Sequence, residues 1–214
     1  MFFNPNSKMI VHALQILRKE LDEFLNSFGA DDSDQVQLGN IAQLDLPQQG
    51  DANNLKDKVV ITLVNLREEK TLKNGPFSRR NDATLKAEYF NPPVFLNLYI
   101  LISVSQSNYT NALIYLSRIV SFFQEKNVFT QENSVSNITD VEVPQTERMD
   151  EFKLILEFYC PSFEEQNHIW GTLGGKQLPS VMYLARLVEV KRAVAPRTGG
   201  LIEEIQLNAN VKMQ

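Results

Sequence analysis

The chain has a single cysteine, Cys160, among its 214 residues, so no internal disulfide can staple it. Its two histidines, His12 and His168, stand far apart, and no His, Cys or acidic pair falls at a metal-ligand spacing. No G-x-S-x-G turn is present to carry a hydrolytic serine. The longest apolar run, Val94 to Val104, is broken by Asn97 and Ser103 and is too short to span a membrane, so it predicts a buried strand and no membrane insertion. The opening MFFNPNSKM lacks the apolar core of a secretory signal. Folding in the cytoplasm is therefore expected, and the sequons at Asn108 and Asn137 read as accidental. Basic charge is in deficit as well: 21 Lys and Arg against 26 Asp and Glu leave −5, with a pI near 5.2. That balance makes nucleic acid a poor partner.

What is present is an ordinary globular composition, 43% hydrophobic and 22% charged, enough for one substantial core. Ile10, Val11, Leu14, Leu17, Leu21, Phe24, Leu25 and Phe28 recur at threes and fours and predict a helix over 7–28, ended by Gly29 in a left-handed conformation. Residues 30–54 read as loop with one short strand around 36–44. KVVITLVNLR, 58–67, predicts a central strand with Val59, Ile61, Leu63 and Asn65 on one face. A polar excursion, 68–91, leads back through Asn91-Pro-Pro93 into the strand from Val94, so the two strands pair across a long hairpin. A second helix is expected near 108–126, with Ala112, Leu113, Leu116, Ile119, Val120 and Phe123 as its buried stripe. Further strands are expected at 151–159 and 180–191, with extended segments at 136–143 and 201–213. Helices and strands do not alternate regularly, which predicts an α+β fold: a mainly antiparallel sheet with two long helices packed on it.

Four features invite a chemical reading. Asp31, Asp32 and Asp34 suggest calcium, but an EF-hand loop counted from Asp32 would place Gln37 and Gln43 where glycine and glutamate are required. GTLGGK, 171–176, has the vocabulary of a phosphate loop. Counting back from Lys176, the first glycine position holds Trp170 and the hydroxyl position holds Gln177, and a strand rather than a helix should follow. The residues fit better as a helix cap and turn after the capping box Ser162-Phe-Glu-Glu165, with Trp170 packed beneath; Lys176 and Gln177 then become partner-contact candidates. Arg79, Arg80 and Lys86 form the one basic concentration and read either as a docking arm for an acidic partner or as a solvated loop; Arg197 joins them as an interface candidate. His12 reads as a helix-surface or boundary residue and Cys160 as a small strand-end hydrophobe.

The blocks MIVHALQILRKELDEFL, KVVITLVNLREEKTLKN, NPPVFLNLYILISVSQSNYTNALIYLSRIVSFFQEKNVFT and SFEEQNHIWGTLGGKQLPSVMYLARLV, taken in order, resemble the N-terminal domain of tail-terminator or cap proteins of extracellular contractile injection systems. These are phage-tail-like particles typified by Photorhabdus virulence cassettes and the antifeeding prophage. The resemblance covers roughly 8–192. It implies a non-enzymatic structural protein without a cofactor, forming a hexameric ring on the inner tube, ending tube growth and engaging the sheath. A second cap protein is a further implied partner, and the finished particle is either released or tethered to a membrane. On this reading 1–192 form the cap domain and 193–214 a C-terminal extension; the excursion 68–91 and the tail after Ala193 become interface arms. The rival readings are an assembly chaperone that never stays in the particle and a nucleotide-dependent enzyme.

Overall fold

The computed structural model describes residues 8–29, 34–45, 54–72, 78–81, 86–89, 94–134, 152–190 and 197–200. The expected segments at 136–143 and 201–213 lie outside these residues. In chain order the elements are α1 (Met9–Asn26), β1 (Val36–Leu38), β2 (Val59–Glu68), β3 (Ser78–Asn81), β4 (Lys86–Tyr89), β5 (Val94–Val104), α2 (Tyr109–Glu125), β6 (Val128–Thr130), β7 (Lys153–Tyr159), α3 (Phe163–Thr172), β8 (Ser180–Val190) and β9 (Arg197–Gly200).

Six strands form one sheet in the order β1-β2-β5-β8-β7-β6, and β3, β4 and β9 form a second, small one. Every pairing is antiparallel except β1 on β2, so the α+β sheet is mixed rather than purely antiparallel. The predicted hairpin partners pair directly, from Val59 opposite Val104 to Glu68 opposite Leu96.

The large sheet is covered on both faces. On one, α1 and α2 bury Ile16, Leu17, Leu21, Ile119 and Phe123 against Ile61, Leu98, Ile100 and Ile102. On the other, Trp170 of α3 packs with Ile41 and Leu55 against Val60, Leu101 and Met182. A strand buried on both faces must be apolar at successive positions, which explains the unbroken VVITLV of β2.

Four side-chain expectations are corrected. Val64 is an extra residue in β2, since the register with β5 slips between Leu63 and Asn65. A bulge of this kind reverses the alternation beyond it, so Asn65 turns to the α3 face and Leu66 to the helix face. His12 is buried at 5% exposure, its ring edge-on to Phe152 at 6.0 Å, because sheet and α2 together enclose a wider stripe of α1 than periodicity marks. In α2 the buried residues are Ala112, Ile119, Phe122 and Phe123, leaving Leu113 and Val120 exposed. Cys160 is exposed just after β7.

Candidate assembly interface

Four of the six sequence-predicted interface positions come together in the small sheet. Arg79 and Arg80 lie on β3, Lys86 on β4 and Arg197 on β9. The register sets Arg79 opposite Glu88, Arg80 opposite Ala87, and Tyr89 opposite Arg197. The excursion between β2 and β5 and the chain after β8 are thus paired with each other, β9 lying antiparallel on β4. Lys86 and Tyr89 present exposed side chains, while Ala87 is buried.

Lys176 and Gln177 are not part of this group. They follow α3, which connects the end of β7 to the start of β8, whereas the small sheet is fed by the end of β2, the start of β5 and the end of β8. In antiparallel strands those are opposite ends of the sheet, separated by about 30 Å along the 11-residue β5.

The α3 end is built from local rules. Ser162 Oγ accepts from Glu165 N at 3.2 Å, and Glu165 Oε2 accepts from Ser162 N at 2.9 Å, completing a capping box. At the other end Gly175 donates its N–H to the Trp170 carbonyl at 2.7 Å, with Gly174 at φ +100° and Gly175 at φ +77°. That six-residue closure is a Schellman cap, and only glycine adopts such dihedrals without strain. The lysine of GTLGGK is paired with Asp45, and this hydrogen bond holds the Asp45 carboxyl below its usual range. The glycines therefore end a helix instead of opening one, and no helix N-terminus faces an anion at Lys176.

Beside α3 lies a cavity of about 200 Å³ lined by Leu101, Tyr159, Cys160, Ile169, Trp170 and Met182, among others. Burial pushes the Tyr159 hydroxyl up, and its proton reaches toward Glu165 at 3.4 Å. Glu157 pairs with Arg186 at 2.9 Å, and Arg67 stacks over Tyr99 at 5.3 Å. Among the described residues no three His, Cys, Asp or Glu side chains are grouped to hold a metal, and no helix is long and apolar enough to cross a membrane.

Sequence reasoning missed the exposed apolar groups. Phe163, in the first turn of α3, is 93% exposed, and Phe158 is 55% exposed. On α2 the outer side carries Tyr109, Leu113, Ile114 and Val120. The signal available for Phe163 was its place directly after the Ser162 cap, ahead of two glutamates, where a helix turns outward.

The family model for the Pvc16 N-terminal domain matches residues 12–204. The chain belongs to that family. No curated protein matches the sequence. Among solved structures, the chain resembles the sheath/tube terminator of PVC, an extracellular contractile injection system, in the extended state, with TM-score 0.49 and 14% identity over 93% of this chain and 65% of that one. It also resembles the tube-terminating cap of the anti-feeding prophage, with TM-score 0.50 and 12% identity over 90% of this chain and 60% of that one. The chain therefore spans less than two thirds of either neighbour. At such identities the likeness is one of fold, and this Pvc16 N-terminal domain shares the α+β architecture of the anti-feeding prophage cap.

Proposed function

We propose that the protein is a non-enzymatic cap that ends the inner tube of a contractile injection particle, assembling as a hexameric ring and engaging the terminal sheath. The observation that carries this reading is family membership over residues 12–204, almost the whole chain. The fold likeness to the anti-feeding prophage cap supports it. A terminator needs one surface that continues the stack and another that cannot template a further ring. In this reading assembly takes place in the cytoplasm, tube, sheath and a second cap protein are the partners, and 193–214 serve as an interface extension.

Deletion of the gene, followed by electron microscopy of the particles, tests the reading. Loss of normally capped, sheathed tubes is the expected result. Mass spectrometry of purified wild-type particles should find the protein in the particle. Its absence there would instead support a free chaperone, and normally capped tubes in the deletion strain would count against a terminator.

A further inference from the structure

The two edges of the large sheet are protected by different means. At one edge β1 covers only residues 59–61 of β2, and among the described residues no strand lies beside 63–68. That half carries the Val64 bulge and the exposed Arg67 and Glu68, features that discourage another strand from pairing. At the other edge β6 has neither device. Its residues, Val128, Phe129 and Thr130, are all strand formers without charge. By residue type it is the edge more open to a further strand.

Leu156 donates its N–H to the Asn127 carbonyl at 2.8 Å, so in the antiparallel ladder Phe129 also faces β7, while Val128 and Thr130 turn backbone polar groups outward. A single side chain meets them. Asn133 Nδ2 donates to the Val128 carbonyl at 3.0 Å, and the Thr130 N–H donates to Asn133 Oδ1 at 2.7 Å. A carboxamide carries the same donor and acceptor as a peptide unit, and here it makes the pair of bonds that one residue of a neighbouring strand would make. The Thr130 carbonyl is taken as well, by Asn133 N at 3.3 Å and Ser134 N at 3.0 Å. The turn is itself fastened to the helices. Lys126 Nζ donates to the Asn133 carbonyl at 2.6 Å and to Glu20 Oε2 at 2.7 Å, and it lies 5.2 Å from the ring of buried Phe129.

We propose that Asn133 is an edge seal, its carboxamide standing where a strand of a second copy of this chain would pair with β6. An open edge recognises backbone rather than side chains, and copies gathered in one assembly meet each other's edges first. The seal stands on these hydrogen bonds alone. Its purpose rests on the terminator reading above, in which β6 becomes an edge that cannot template further addition.

Hydrogen exchange by NMR and sedimentation velocity of the purified full chain test the seal, with circular dichroism and thermal melts as the folding control. In the wild type the Thr130 amide should exchange slowly although it lies on an outer strand, and N133A should speed it by about tenfold. N133A should also associate beyond the wild-type oligomer, with an association constant about tenfold higher or more. Salt should weaken that association little, since main-chain pairing joins no net charges. Adding T130P, which removes the outward N–H and leaves the β7 ladder intact, should return the wild-type oligomer. A Thr130 amide that exchanges freely in the wild type overturns the proposal without any variant. A folded N133A that loses this protection and gains no association makes Asn133 a turn residue alone and overturns it too, as does association that survives T130P. Particles with single, normal caps built from an associating N133A would keep the seal and detach it from tube termination. Failure of the deletion test above would remove the terminator reading and leave the seal standing.

Discussion

Gly175 closes α3 by donating to the carbonyl of Trp170, five residues earlier, at 2.7 Å. The same bond fixes the turn and holds the backbone of the one tryptophan, whose ring is buried against Val60, Leu101 and Met182. Cap geometry and core packing on this face are therefore linked at one residue.

The glycines after α3 should not be interchangeable. Ala at Gly174 or Gly175 meets no steric neighbour but must adopt positive φ, which costs about 1–2 kcal/mol. Gly171, inside the helix and also without a neighbour, should gain about 1 kcal/mol as Gly171→Ala. Urea midpoints of the three variants should move in those opposite directions.

Trp170 is 5% exposed and is the sole tryptophan, so its fluorescence reports the docking of α3. The native emission should be blue-shifted and poorly quenched by iodide. Trp170→Ala, which leaves a large hole beside the existing cavity, should lower stability by about 3–5 kcal/mol. Strong iodide quenching of the native protein would show that α3 does not seat as described.

Lys126 at the end of α2 reaches Glu20 of α1 at 2.7 Å and also donates to the Asn133 carbonyl. Glu20 is 9% exposed, so Lys126→Met removes a charge-assisted hydrogen bond from a mostly dry carboxylate and should cost about 2–3 kcal/mol. Adding Glu20→Gln should restore part of that loss. A double-mutant cycle in urea measures the coupling.

Glu69 accepts from Thr71 Oγ1 at 2.6 Å, Thr71 N at 3.2 Å and Asn97 Nδ2 at 2.9 Å. These bonds lower its pKa from 4.5 to about 2. A depressed carboxylate stabilises the fold above its unfolded pKa and loses that contribution as pH falls through the folded one. The stability difference between wild type and Glu69→Gln should be constant near neutrality and shrink as pH falls from about 4.5 toward about 2. A difference that stays level through that window would show that these bonds are not formed in solution.

Legibility in the sequence followed the kind of rule involved. The capping box at Ser162, the left-handed glycines and the β2–β5 partnership were readable because each rests on a few adjacent residues or on a strong β pattern. The buried side of α2 was not readable. Its sequence, YTNALIYLSRIVSFFQE, is apolar on more than one side, and the packing against α1 and the sheet selected Ile119, Phe122 and Phe123 over Leu113 and Val120. The bulge at Val64 was equally silent, since one extra residue changes the pairing and leaves the composition untouched.

The sequence alone determined the α+β class, the principal strands, both ends of α3 and the family resemblance, because these depend on local dihedral preferences and on runs of residue types. Only the tertiary structure decided that Arg79, Arg80, Lys86 and Arg197 share one small sheet while Lys176 and Gln177 follow α3. Strand pairing joins residues more than a hundred positions apart, and no local propensity records which distant edge a strand will meet.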